Sequence, residues 1–210
     1  MVKILVADDH AVVRQGVKQI IADDFDHAII GEASNIHEVL DLVGKRKWDI
    51  VILDMTMPGR SGLDALKDLK QLHPKLPVLV LSMHPEDQFA VRVLKAGAAG
   101  YLTKDSAAEE LVTAIQKVLQ GGKYISSSLA EVLAMSLSDD LGSPPHLTLS
   151  DREYQILSLI ASGKTARDIA EELSLGASTI STYRSRILQK LKMKNNAELT
   201  RYALQHQLVP

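Results

Sequence analysis

The sequence predicts an α/β domain built on a doubly wound, five-stranded parallel sheet, followed by a small all-α domain with a helix-turn-helix. Three observations carry this. Short apolar runs alternate with amphipathic segments five times over the first 122 residues, the pattern of a parallel sheet with helices on both faces. Those runs are continuous rather than alternately polar and apolar, as strands covered on both faces should be. From Thr148 to Pro210 there is no strand pattern, and two helical stretches there are joined by a three-residue turn containing glycine.

The strand runs are Lys3–Ala7, Ala28–Ala33, Ile50–Leu53, Val78–Leu81 and a shorter one at Gly100–Leu102. Between them apolar residues recur at three- and four-residue steps, as in Val13, Val17, Ile20 and Ile21, or Leu63, Leu66 and Leu69, which is helical spacing. The last such segment, Leu111 to Leu119, runs into Gly121-Gly122, a suitable helix C-cap. These elements place the first domain at residues 1–122. Residues 123–147 contain Ser126-Ser127-Ser128, a Ser- and Asp-rich stretch from Ser136 to Ser143, and Pro144-Pro145. They predict a linker with one short helix over Leu129–Leu137. Residues 148–210 predict four helices: Ser150–Ala161, Thr165–Leu173, Ala177–Leu191 and Asn195–Gln205. Ser150 with Glu153 forms a capping-box pattern at the start of the first.

Composition bounds the function. The chain has 210 residues, 46% hydrophobic and 24% charged, which excludes a disordered or fibrous protein. It has no cysteine, so disulfides, thiolate zinc sites and cysteine nucleophiles are excluded. The apolar run before Asp8-Asp9 is too short for a signal-peptide core. No apolar run approaches the roughly 18 residues of a membrane helix. A cytoplasmic address and no membrane partner are expected. The net charge of −2 argues, taken whole, against a nucleic-acid binder. It is the sum of unlike parts. Residues 1–147 hold 15 Lys+Arg against 20 Asp+Glu, a formal −5, and residues 148–210 hold 9 against 6, a formal +3. Between Glu172 and Glu198 there are five bases and no acid.

Chemistry in a parallel sheet belongs at the carboxyl ends of its strands. Asp8 and Asp9 follow the first predicted strand and Asp54 follows the third. Neighbouring strands end at one edge, so the three carboxylates should converge. Converging carboxylates repel unless a cation sits among them, and hard oxygen donors suit Mg²⁺. Ser82 closes the fourth strand and Lys104 lies just past the fifth. A hydroxyl and an ammonium facing such a site can stabilise phosphoryl oxygens. Any one of these residues alone is more often a cap or a solvated charge; all five at strand ends, in order, point to phosphoryl transfer. None of the seven histidines has His-x3-His spacing, so no histidine metal site is expected.

Residues 3–122 resemble the receiver domain of two-component response regulators, a flavodoxin-like fold. The motifs are Ile4-Leu5-Val6-Ala7-Asp8-Asp9-His10, Asp49 to Gly59 around Asp54, Val80-Leu81-Ser82, and Gly100-Tyr101-Leu102-Thr103-Lys104. The resemblance implies that Asp54 accepts a phosphoryl group. It implies that Asp8 or Asp9, Asp54 and the backbone carbonyl of Thr56 hold Mg²⁺, and that Ser82 and Lys104 bind phosphoryl oxygens. Tyr101 matches the aromatic that turns inward when Ser82 moves. Thr56 and His84 match positions lining the entry for the attacking water.

In the second domain, Ser178 and Thr179 sit in the first turn of the helix Ala177–Leu191, where hydroxyls can reach free N–H groups or a phosphate. Ile180, Ile187, Leu188 and Leu191 mark its core face, and Ser181, Thr182, Ser185 and Gln189 the opposite one. Leu147 to Leu208 resembles the LuxR-type helix-turn-helix of NarL/FixJ-class regulators, through Glu153, Leu157, Ile160-Ala161-Ser162-Gly163-Lys164, Ile169-Ala170, Ser178-Thr179-Ile180-Ser181 and Lys190-Leu191. The tract Ser181–Leu188 is most similar to the GacA/UvrY/BvgA sub-group. The resemblance implies that Ser181, Thr182 and Ser185 face base edges and that Arg184, Arg186 and Lys190 contact phosphates. Members of the family often have Lys among the base-facing positions and His where Tyr183 stands. Short hydroxyls imply modest base contacts, with water and DNA shape sharing the specificity. The last helix resembles the dimerisation element of the class, with Ala197, Leu199, Tyr202 and Ala203 as candidate contacts unless they pack on the core.

Together the two resemblances imply a transcription factor phosphorylated on Asp54 by a sensor histidine kinase, dimerising on promoter DNA, with RNA polymerase as a further partner. Two other classes stay open at this point. An Asp nucleophile with Mg²⁺ also serves haloacid-dehalogenase-type phosphatases, but those place a second acid where Thr56 stands. A receiver can also act only as a scaffold in a phosphorylation-independent DNA binder. No turnover enzyme is expected.

Overall fold

In a computed structural model of the chain, strands β1 (Lys3–Ala7), β2 (Ile29–Ala33), β3 (Ile50–Asp54), β4 (Val78–Ser82) and β5 (Gly100–Thr103) form one parallel sheet in the order β2-β1-β3-β4-β5. The structure describes residues 1–57, 62–83, 86–137, 145–173, 175–206 and 208–209. The Pro58-Gly59 end of the Asp54 motif, His84, Ser174 and the linker stretch 138–144 lie outside them. The described residues fall into two units, Met1–Leu137 and Ser138–Pro210.

The continuous apolar runs of the first unit follow from its layers. Successive strand side chains point to opposite faces. Leu5, Ala7, Val51, Leu53, Val78 and Val80 enter one core, and Ile4, Val6, Ile50, Ile52, Leu79 and Leu81 enter the other. The first core is covered by α2 (Ile36–Lys45), α3 (Gly62–Leu72) and α4 (Glu86–Lys95), the second by α1 (Ala11–Asp24) and α5 (Ala107–Leu119). Asn35 caps α2, its side chain accepting from the Glu38 N–H at 3.0 Å.

The largest departure from the expected layout is α6 (Ser127–Leu137). It begins two residues before the predicted helix, with the Ser126 hydroxyl accepting from the Leu129 N–H. It packs against α4 within the first unit. Leu129 is 0% exposed in the same core cluster as Ala90, Val93 and Tyr101. The segment leading to it is also held: the Tyr124 N–H donates to the Ala99 carbonyl at 2.8 Å, and the Tyr124 hydroxyl to Glu110 at 2.9 Å. Tyr124 lies so close to β5 that a Cβ on Gly100 would come within 2.9 Å of its Cβ and carbonyl oxygen. Residues 123–137, read as linker, therefore extend the first unit, because apolar burial of Leu129 outweighs the serine-rich local sequence.

The second unit is helical: a short 3-10 turn at Pro145–Thr148, then α7 (Asp151–Ala161), α8 (Ala166–Glu172), α9 (Ala177–Lys190) and α10 (Asn196–Gln205). The Ser150–Glu153 capping box is present, and a second joins Thr165 to Asp168. Tyr154, Ile156, Leu157, Ile169, Ile180, Ile187, Leu199 and Ala203 form the buried interior. Leu199 and Ala203 thus pack on the domain core rather than serving as dimer contacts; of the four candidates on α10, Ala197 is exposed and Tyr202 half-buried.

Candidate functional site

Sheet register brings the predicted acids together. Ala7 is level with Leu53, and Asp54 with Leu81, so Asp8 and Asp54 end neighbouring strands at the same edge. Ser82 pairs with Thr103, and the Lys104 N–H donates to the Ser82 carbonyl at 2.7 Å. Asp54 is 0% and Asp8 2% exposed. The Lys104 ammonium stands 2.7 Å from Asp8 Oδ2 and 3.0 Å from Asp54 Oδ2, bridging the two carboxylates. Burial pushes the Lys104 ammonium down, but the hydrogen bonds and charges of Asp8 and Asp54 outweigh it and hold Lys104 above its ordinary value. Thr56 caps Asp54. Its backbone N–H donates to Oδ1 at 3.1 Å, and its hydroxyl lies 2.9 Å from both carboxylate oxygens. The hydroxyl has one proton, so it serves one of those oxygens at a time.

The donor set fits a hard divalent cation. Asp8 Oδ2 and Asp9 Oδ1 are buried acid oxygens, the first paired with the Lys104 ammonium and the second facing His10. One ligand atom from each of Asp8, Asp9, His10 and Asp54 lies within 4.8 Å of the others. His10 was not expected here. Its Nδ1 is 2.9 Å from Asp9 Oδ1 and 3.2 Å from Asp8 Oδ1, a placement that comes from sequence adjacency rather than from any histidine spacing.

Arg14 is a second residue that sequence reasoning missed. One turn into α1, its Nη1 donates to the Asp8 carbonyl at 2.7 Å, while the Asp8 N–H donates to the Ala33 carbonyl at 3.1 Å. The acid-bearing loop is therefore pinned on both sides. The available signal was helical reach: Arg14 stands four residues after His10, and its N–H bonds the His10 carbonyl.

Tyr101 is fully buried beside Leu129, with Lys104 already drawn to Asp54.

In the second unit, Ser178, Ser181, Thr182, Ser185, Arg186 and Gln189 are exposed along α9, Thr179 is half-buried, and Ile180 and Ile187 face the core. The two other arginine and lysine residues expected at phosphates have partners within the unit. The Arg184 Nε donates to Asn196 Oδ1 at 2.5 Å. The Lys190 ammonium pairs with Glu153 at 2.6 Å and lies 3.4 Å from the Thr148 carbonyl. These contacts tie α9 to α10 and α7. The exposed bases on and after α9 are Arg186, Lys190, Lys192, Lys194 and Arg201.

Glu153 is buried, which raises its carboxyl, but hydrogen bonds from Lys190 and Ser150 dominate and hold it below its ordinary value. A carboxyl depressed on folding contributes stability above its unfolded pKa and loses it as pH falls through the folded value. The second unit should therefore unfold more easily as pH drops below about 4.5. Glu153→Gln should flatten that dependence in thermal melts followed by circular dichroism; an unchanged pH profile would contradict the pairing.

A buried aspartate at the carboxyl end of a central parallel strand, bridged to a lysine and followed by a helix-turn-helix unit, defines a receiver joined to a DNA-binding domain. The response regulator receiver domain family matches residues 4–116, and the bacterial regulatory protein luxR family matches residues 147–203. The chain belongs to the two-component response regulators with a LuxR-type DNA-binding domain. It is 39% identical over 210 residues to response regulator GacA of Pseudomonas aeruginosa, covering 100% of this chain and 98% of that protein. It is 35% identical over 209 residues to response regulator UvrY of Escherichia coli, covering 99% and 96%. Among solved structures it is similar to RcsB of Salmonella enterica serovar Typhimurium bound to the rprA promoter with the phosphomimetic BeF3−. That match has a TM-score of 0.69 and 26% identity, and covers 96% of this chain and 98% of that one. Among the described residues no helix is long and apolar enough to cross a membrane.

Proposed function

We propose that Asp54 accepts a phosphoryl group from a sensor histidine kinase and that this controls dimerisation and promoter binding in the cytoplasm. The carrying observation is the buried Asp54 carboxylate, 3.0 Å from Lys104, beside the buried acid oxygens Asp8 Oδ2 and Asp9 Oδ1. Asp8, Asp9, Asp54 and the Thr56 carbonyl would hold Mg²⁺. Bound there, Mg²⁺ supplies charge neutralisation for the phosphoryl oxygens. An Asp54 oxygen attacks phosphorus, the phosphorus–nitrogen bond of the donor histidine breaks, and an acyl phosphate remains on Asp54. Thr56 must release that oxygen as it reacts. Lys104 is placed to turn from Asp54 Oδ2 to a phosphoryl oxygen, and Ser82 to receive another. The protein is a phosphoryl acceptor and not a turnover enzyme: the position two residues past the nucleophile is Thr56, which cannot act as a general acid.

Target promoters are read by α9, with Ser178 and Thr179 at its start, Ser181, Thr182 and Ser185 toward the bases and Arg186 toward phosphates. Two copies would engage two half-sites of a roughly two-fold symmetric operator, and RNA polymerase is the expected downstream partner. Intact-mass analysis after incubation with acetyl phosphate and Mg²⁺ tests the acceptor. Wild type should gain one phosphoryl group and Asp54→Ala none. Equal labelling of the two would move the acceptor elsewhere, and rapid multiple turnover of phosphate esters would revive a phosphatase.

A further inference from the structure

The outward face of α9 carries hydroxyls whose protons are already used. Thr182 Oγ1 donates to the Ser178 carbonyl at 3.0 Å, and Ser185 Oγ to the Ser181 carbonyl at 3.0 Å. Both bonds run back one turn along the helix, a geometry that short hydroxyl side chains favour there. A hydroxyl has one proton and two lone pairs. With the proton held by the backbone, the remaining lone pairs can only accept. Both residues are exposed, three positions apart, next to Ser181 and Arg186; residues at this spacing are neighbours on one helix face.

The major-groove base edges offer two kinds of donor, the N4 amine of cytosine and the N6 amine of adenine. Guanine presents acceptors at O6 and N7, and thymine an acceptor at O4 with a methyl group. An accepting hydroxyl facing guanine or thymine would set lone pair against lone pair. To donate instead, it would have to give up its bond to the helix carbonyl. We propose that Thr182 and Ser185 are specificity-determining residues that select amine-bearing bases, cytosine or adenine, at two positions of each half-site. This rests on α9 entering the major groove, as argued above. It differs from the guanine readout of the lysines and arginines that a helix commonly offers to DNA.

Selection from random duplex DNA, with full-length protein in acetyl phosphate and Mg²⁺, tests this. Thr182→Val keeps the methyl group and replaces the accepting hydroxyl by a second methyl; Ser185→Ala removes the other acceptor. Both substitutions lie on an exposed helix face, so the circular dichroism of each variant should match wild type. Each variant should lose preference at one position held by adenine or cytosine in the wild-type motif, by about fivefold to tenfold. At an adenine position, 2-aminopurine removes the major-groove amine and should cost wild type the same factor while costing the matching variant nothing further. Variant motifs identical to wild type would overturn the inference alone, as would lost preference at guanine or thymine. A wild-type protein that binds duplex but enriches no motif would overturn the assignment of α9 as the reading helix together with it.

Discussion

Lys104→Gln is expected to destabilise the first unit by about 3 kcal/mol in metal-free buffer, since removing one partner of a buried ion pair leaves the other charge uncompensated. Asp8 and Asp54 are almost fully buried and Lys104 bridges them, its own side chain only 9% exposed. Without the ammonium, two carboxylates face one another in a poorly solvated pocket and must take up protons or a cation. Mg²⁺ should then recover much of the loss. A ligand bound only by the folded state stabilises it by about 2.7 kcal/mol at one hundred times its dissociation constant. Thermal unfolding of wild type and variant, with and without Mg²⁺, checks both halves. A variant as stable as wild type without metal, or one indifferent to Mg²⁺, would contradict the charge arrangement on which the acceptor site depends.

Leu129→Ala is expected to cost the first unit about 2–5 kcal/mol, the usual range for truncating a fully buried leucine. If residues 123–137 were only a tether, the same change would cost within about 0.5 kcal/mol. The side chain of Leu129 sits in the core cluster that holds Tyr101 and the α4 residues Ala90 and Val93. The substitution therefore also loosens the packing around Tyr101. Chemical denaturation of the full chain, followed at the first transition, separates the two magnitudes.

Local chemistry made most of the fold legible. The capping box at Ser150 and the Gly-containing turn before α9 are short-range signals, and the four C-terminal helices begin and end within a residue of where those signals place them. Strands β3, β4 and β5 each run one residue further than the apolar pattern, through Asp54, Ser82 and Thr103. The polar side chains there were read as ends, yet the ladder continues because their backbones still pair. What stayed hidden was contact between distant segments. Nothing near Leu129 says that α4 will cover it. Glu153 and Lys190 are separated by 37 residues, and Arg184 and Asn196 by 12, so a helical charge run gave no sign that two of its cations already have partners within the domain. The acids were different: strand ends at one sheet edge must converge, and Asp8, Asp54 and Lys104 could be placed together from order alone.

On the proposed function, phosphorylation of Asp54 controls where this protein binds DNA. Genome-wide footprinting of wild type beside Asp54→Ala under inducing conditions tests it most directly. Promoter sites occupied by wild type should be lost or strongly weakened in the variant, with the protein folded and present in equal amount. Occupancy and transcription by Asp54→Ala equal to wild type at the same promoters would contradict it.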